Sequence, residues 1–277
     1  MKQPTNYFGG VQDYAPMSAE ELAADLRRNM KTYIEDYRFK LVTQPIYDFS
    51  AKRICGYEIL SRLDHPEEGT VAPGQFLPIV NELHLQAQFD IHIFYESCRW
   101  MSDLMRAGKD PEWLSVNFSR KTLGEAGIVE KLVKIAYSFG IPNNRLGIEL
   151  TEYENTNNET LFRENMLSLK KQGFLILVDD MGSGVTSSGD LLDFPVDIVK
   201  LDRSLLLAAS TEDGARTFRR LVQLVRALGK KALCEGVEKL NDLQFIQDAG
   251  CTYGQGFLFA PPASTERVEA TMGRNNR

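Results

Sequence analysis

From Phe39 to Phe259 short apolar runs alternate with amphipathic stretches of helical period, and this alternation restricts the fold more than any single motif. The strand candidates are Phe39–Tyr47, Arg53–Arg62, Trp113–Ser119, Leu146–Glu152, Phe174–Asp180, Val196–Asp202, Lys231–Val237 and Cys251–Phe259. Phe174–Val178 sets five apolar residues in a row, as a strand covered on both faces requires. Between the runs, residues 85–107 are amphipathic, and Ile128, Leu132, Ile135 and Phe139 keep helical spacing. So do Phe162, Met166 and Leu169, and Phe218, Leu221, Val222, Val225 and Leu228 form a further stripe. Gly108, Gly140, Gly173, Gly229 and Gly250 stand where such helices end. Repeated βα units predict an α/β fold with a parallel sheet, open or closed. The first two runs depart from the pattern. Only Ser50-Ala51-Lys52 separates them, so they are expected to pair as an antiparallel hairpin.

Upstream, Ser18 and Glu21 have capping-box spacing, and Leu22, Leu26, Met30 and Ile34 line one face of the helix that follows. Packing on the body is the favoured reading of that helix. Pairing with another copy and linkage to an upstream module are the alternatives. A chain of 277 residues suffices for one barrel or two smaller domains. The formal net charge of −6 argues against a general nucleic-acid binder and leaves room for a phosphorylated ligand held through metal ions. Cys55, Cys98, Cys234 and Cys251 form no CxxC pair and read as reduced core thiols of a cytosolic protein. His65, His84 and His92 lack the spacing of a histidine zinc site. The first ten residues have no apolar signal region, and no run nears the roughly 20 apolar residues that span a bilayer. Membrane insertion is therefore not expected.

Most of the apolar runs carry a polar residue that packing does not need. Glu58 and Arg62 share one face of the second run, and Asn117 lies in the third. Glu149 and Glu152 follow, then the adjacent pair Asp179 and Asp180 ahead of Met181-Gly182-Ser183-Gly184. Lys200 and Asp202 share a face of the sixth run, Glu235 and Glu238 flank Gly236-Val237, and Gln255 sits in Tyr-Gly-Gln-Gly. One acidic residue at a strand end is usually solvated. Adjacent carboxylates repel, and burying them calls for a positive partner. In a (β/α)8 barrel the C-terminal strand ends meet at one mouth, where active sites sit. Glu58, Asn117, Glu149 and Asp179 would there form an all-oxygen shell suited to Mg²⁺ or Mn²⁺. Asp179, Asp180 and Glu235 would hold a second ion, and two ions about 4 Å apart activate water for phosphoryl displacement. Lys200 would be a cation beside the water or the developing charge, and Arg62 a fork for a phosphate.

At these residues the chain resembles the EAL family of cyclic di-GMP phosphodiesterases, over roughly Phe39 to Pro262. Gly56-Tyr57-Glu58-Ile59-Leu60-Ser61-Arg62 stands in place of the naming motif, with Ile59 where the family has Ala. Gln44-Pro45-Ile46, Ser115–Ser119, Glu149-Leu150-Thr151-Glu152, Asp179-Asp180, Pro195–Asp202, Glu235–Glu238 and Gln255–Phe259 resemble the other motifs, in the family's order. The resemblance implies a TIM-like (β/α)8 barrel with an antiparallel first strand over 38–265. An N-terminal extension with a helix (1–37) would precede it, and a helix end with a polar tail (266–277) would follow. It implies hydrolysis of cyclic di-GMP to linear pGpG with two Mg²⁺ or Mn²⁺ ions, Ca²⁺ being inhibitory. Glu58, Asn117, Glu149 and Asp179 match the first metal site, and Asp179, Asp180 and Glu235 the second. Glu235 also matches a general base, and Lys200 the lysine that holds the water. Arg62, Gln44 and Gln255 match substrate contacts, Glu152 a loop anchor, and Asp202 and Glu238 supporting positions. A homodimer, and a sensor or GGDEF-type module upstream, are the partners it implies.

The loop Met181–Ser188 departs from the family's Phe-Gly-Thr-Gly-Tyr-Ser-Ser by losing both aromatics. Its altered sequence motivates a second reading, a weak or inactive module that binds cyclic di-GMP or a partner protein. A third, an unrelated metal-dependent barrel enzyme, fits the ordered motifs poorly.

Overall fold

The turn after the first apolar run sets the topology. In the computed structural model, which describes residues 17–109, 111–150, 158–181 and 194–272 with backbone alone at 180 and 181, strand β1 (Phe39–Asp48) pairs antiparallel with β2 (Arg53–His65). Asp48 Oδ1 accepts hydrogen bonds from Ser50 N at 2.7 Å and Ala51 N at 2.9 Å, and Lys52 takes a left-handed φ of 54°, which reverses the chain. A short β3 (Gly69–Val71) extends β2 antiparallel. The strands β4 (Trp113–Phe118), β5 (Leu146–Leu150), β6 (Leu175–Met181), β7 (Ile198–Leu201), β8 (Lys231–Cys234) and β9 (Tyr253–Gly254) then follow, each parallel to the one before, with β4 parallel to β2. β9 pairs antiparallel with β1 and closes the ring, while β10 (Ala263–Ser264) adds to the edge of β1. The result is an eight-stranded α/β barrel whose first strand runs against its neighbours.

Ten helices surround it among the described residues: α1 (Ala19–Glu35), α2 (Pro73–Glu82), α3 (Gln86–Arg106), α4 (Arg120–Leu123), α5 (Ile128–Ser138), α6 (Glu159–Lys171), α7 (Arg203–Ala208), α8 (Glu212–Ala227), α9 (Leu240–Ala249) and α10 (Thr265–Met272). None of them is long and apolar enough to cross a membrane. Gly108, Gly140, Gly173, Gly229 and Gly250 all take positive φ just past a helix. The last expected strand is much shorter than Cys251–Phe259. Gly256, at φ 154°, passes so close to Val237 that a Cβ there would lie 2.3 Å from its backbone N and O, and the chain turns over the rim.

Two apolar layers hold the barrel. Inside, Ile46, Cys55, Trp113, Leu177, Ile198, Leu233 and Tyr253 form one cluster. Outside, the helices bury a larger cluster against the strands, and Ile59 joins it, facing away from Glu58 as alternation requires. Gly56 is where the inner layer needs a missing side chain: a Cβ would stand 2.9 Å from two atoms of the Trp113 indole and 2.8 Å from its carbonyl oxygen.

Helix α1 packs on the body. Ser18 caps it, with Ser18 Oγ accepting from Glu21 N at 3.2 Å and Glu21 Oε2 accepting from Ser18 N at 2.8 Å. Leu22, Leu26, Met30, Tyr33 and Ile34 join the outer cluster. Asp25 ties the helix to the end of β2: it accepts from Tyr33 Oη at 2.6 Å and faces His65 Nε2 at 3.0 Å. Backbone N–H groups of Glu67 and Glu68 donate to His65 Nδ1, so Nε2 carries the proton given to Asp25. Burial and the Asp25 carboxylate push the Tyr33 phenol up to about 12.

The inner layer's tightness predicts that Gly56→Ala lowers unfolding free energy by roughly 1–3 kcal/mol, as overpacking does. Urea unfolding reads it, and an unchanged midpoint would contradict the packing described for Trp113.

Candidate active site

The inward face of the barrel changes character one layer up. Along β4 to β9 the apolar or small positions are succeeded, two residues on, by Asn117, Glu149, Asp179, Lys200, Glu235 and Gln255. Glu58 stands opposite Ser115 on β2, and Gln44, half-buried on β1, stands opposite Glu58. Parallel strands bring their C-terminal ends to one mouth, so residues far apart in the chain meet there.

They meet around Lys200. Its Nζ lies 2.5 Å from Glu149 Oε1, 2.8 Å from Glu235 Oε1, 3.2 Å from Asp179 Oδ1 and 3.3 Å from Glu58 Oε2. Lys200 and Glu149 are fully buried, Glu58 nearly so, and Asp179 and Glu235 reach the opening. Burial alone would pull the Lys200 ammonium down, but the four carboxylates outweigh it and hold it well above the ordinary range. Burial, then Glu58, pushes Glu149 well up. Glu235 rises to about 7, again through burial, with Lys200 opposing. Gln255 Nε2 donates to Glu58 Oε2 at 2.7 Å, and Asn117 Nδ2 to Glu58 Oε1 at 3.4 Å.

The cluster carries more negative charge than one ammonium offsets. Glu149 Oε2 and Gln255 Oε1 are buried and have no hydrogen-bond partner among the described residues. Every converging group that could ligate is an oxygen donor, which fits a hard divalent cation. Among the described residues no three Asp, Glu, His or Cys side chains stand at metal-binding spacing by themselves, and the four acids are arranged about the ammonium.

The remaining predicted residues divide. Asp202 accepts from Ser204 N at 2.8 Å and caps α7, and Glu238 pairs with Arg203 at 2.8 Å, so both brace the strand ends. Arg62 does not join Glu58. Beyond Ile59, β2 no longer pairs with β4 and continues above the barrel wall, where Arg62 lines a separate cleft with Trp100, Glu96 and Glu269 and donates to Ser61 O at 2.8 Å. Glu152 and residues 182–188 lie outside the described residues, as does the side chain of Asp180. A cleft of about 690 Å³ opens beside the cluster, bounded by Glu58, Asn117 and Asp179 and by Pro73 and Leu77 of α2.

Sequence reasoning overlooked Asp90, although an acid beside Phe89 on the buried stripe of α3 was a visible signal. Asp90 Oδ2 accepts from Thr122 Oγ1 at 2.6 Å and Ser119 N at 3.0 Å, fixing the turn that follows Asn117. Burial pushes its carboxyl up to about 6.

The EAL domain family model matches residues 23–262. The biofilm architecture maintenance protein MbaA of Vibrio cholerae is 27% identical over 91% of this chain and 32% of its own length. Cyclic di-GMP phosphodiesterase PdeB of Shewanella oneidensis is 30% identical over 83% of this chain and 27% of its own length. The chain thus spans about a third of the length of these relatives. Among solved structures, the PaMucR phosphodiesterase in complex with c-di-GMP superposes with a TM-score of 0.80 at 28% identity, covering 88% of this chain and 99% of that one.

Two outcomes follow from the electrostatics. Lys200→Ala leaves buried carboxylates without their cation and is expected to cost roughly 3–5 kcal/mol near pH 8, and less at pH 5, where protonation relieves the repulsion. Equal denaturation midpoints at pH 8 would disprove the ammonium's structural part. For Asp90 the folded value lies above the ordinary 3.8, so the neutral acid is favoured in the fold. Its contribution is whole below about pH 4 and is lost as pH rises through about 6, up to about 3 kcal/mol. Asp90→Asn should flatten stability against pH across that window, and an unaltered slope would count against it.

Proposed function

Since the chain belongs to the EAL domain family, we propose that it hydrolyses cyclic di-GMP to linear pGpG. The observation that carries this reading is the convergence of Glu58, Glu149, Asp179 and Glu235 on Lys200 at the mouth of the barrel. PdeB is named a cyclic di-GMP phosphodiesterase, and PaMucR was solved with c-di-GMP, which supports the choice of substrate.

Glu58, Asn117, Glu149 and Asp179 would hold one Mg²⁺ or Mn²⁺, and Asp179, Asp180 and Glu235 a second. Ions of this kind, once bound, supply water activation and charge neutralisation for an in-line displacement at phosphorus. The protein's own groups do the rest. Lys200 offers N–H donors to the attacking water and to negative charge developing at the phosphate. Glu235, at the opening, takes the proton of that water. Gln44 and Gln255 flank Glu58 and orient the phosphodiester, whereas Arg62, in its separate cleft, takes no part in this reading. Asp202 and Glu238 keep the ends of β7 and β8 in place through α7 and Arg203. Ca²⁺, larger and with a looser coordination sphere, would occupy the same oxygen ligands and be inhibitory. A sensor or GGDEF-type module and a second copy are the partners of this reading, in the cytoplasm; that these relatives are about three times as long supports the further module alone.

The altered sequence of residues 181–188 favours one other outcome, a module that binds the dinucleotide and does not cleave it. Release of pGpG from cyclic di-GMP with Mg²⁺ or Mn²⁺ decides between them. Turnover is expected from the native chain, and Glu235→Ala should lower kcat roughly 10²–10⁴-fold. Binding without any pGpG at high enzyme concentration would establish the module, and full activity in the variant would remove Glu235 from the mechanism.

A further inference from the structure

Past Gln255 the chain crosses the rim in a turn that is pinned on both sides. Val237 N donates to Gln255 O at 3.0 Å, and Leu258 N donates to Val237 O at 3.0 Å. Gly256 lies against Val237, and its carbonyl accepts from Phe259 N at 3.1 Å. Phe259 is anchored, stacked on Tyr47 with ring centroids 5.0 Å apart. Phe257, at the crest of the same turn, is 61% exposed. A large apolar side chain on a backbone this fixed holds a hydrophobic face in water at an unchanging place.

That place is the lip of the candidate active site. Two residues of chain span at most about 7 Å, so Phe257 sits within that reach of Gln255, whose amide holds Glu58. The substrate proposed above carries two flat purine bases beside its phosphodiesters. We infer that Phe257 is a substrate-positioning residue whose ring stacks on a guanine base of the bound cyclic dinucleotide. This rests on the phosphodiesterase reading and adds to it the source of base affinity at the β9 side of the mouth. Stacking of a base on an aromatic ring is tolerant of sequence and needs no hydrogen-bond partner, which suits a ring with no polar group. The role is in binding: the ring bears no proton to transfer and touches none of the reacting atoms.

The experiment uses the full chain with Mg²⁺ and cyclic di-GMP. Phe257→Ala should raise KM about fivefold to a hundredfold while kcat stays within about threefold. Phe257→Trp should restore KM. With Ca²⁺ in place of Mg²⁺, its added indole should lose fluorescence on titration with cyclic di-GMP beyond any change in the native protein. A merely structural role would instead lower the melting temperature of Phe257→Ala and depress kcat with it. Native turnover with an unchanged KM in Phe257→Ala overturns this inference and leaves the phosphodiesterase reading standing. Absence of native turnover overturns that reading, and this inference with it.

Discussion

The ammonium of Lys200, held among Glu58, Glu149, Asp179 and Glu235, is the contact on which the upper half of the barrel depends. Each carboxylate comes from a different strand, so the ion pairs stitch β2, β5, β6 and the end of β8 to β7. A buried network of this kind is poor evidence of stability, since removing charges from water costs several kcal/mol per ion. Its value lies in position. The four acids repel one another and would splay or protonate without a cation, and Glu149 and Glu235 are already drawn toward protonation by burial. The arrangement is therefore poised, with its carboxylates oriented inward and short of positive charge.

That poise is possible because the layer beneath is dry and tight. Trp113 fills the space left by Gly56, and Leu177 does the same over Gly147, where a Cβ would lie 2.7 Å from its Cδ1. The inner apolar cluster fills the barrel below the charge cluster. Water entering from below would raise the local dielectric and weaken every interaction around Lys200. The two glycines thus serve the charge cluster although neither touches it.

Much of this was legible in the chain. Polar residues near the ends of successive apolar runs marked Asn117, Glu149, Asp179, Lys200 and Glu235 for the mouth of a barrel, and the three-residue turn at Ser50–Lys52 indicated its antiparallel start. Strand ends were harder to read. The run Cys251–Phe259 reads as one strand, yet the ladder stops at Gly254 because the approach of Gly256 to Val237 is a tertiary fact with no local signature. Parity failed for Arg62 for a related reason. Glu58 and Arg62 share a face of β2, but the strand outruns the barrel wall, and a common face no longer means a common site. Asp90 escaped because its partners, Ser119 and Thr122, are about thirty residues away and appear only once α3 packs on β4.

On the proposed phosphodiesterase reading, the same geometry would let the chain be specific without a deep pocket. A phosphodiester offers charge and little shape, so the mouth's carboxylates, through the ions they suit, respond to any such group that fits. Selection must come from what flanks the phosphate. On one side lies the cleft between Glu58 and α2, walled by Pro73 and Leu77, and on the other the turn that carries Phe257. Both flanks are apolar and both are set on backbone held by main-chain hydrogen bonds. A rigid apolar surface loses little entropy when it covers a base, and so converts base area into affinity more fully than a mobile loop would. On that reading a division of labour would follow from the fold: strand ends would supply the chemistry, and the segments just past them, already fixed by the barrel, the discrimination.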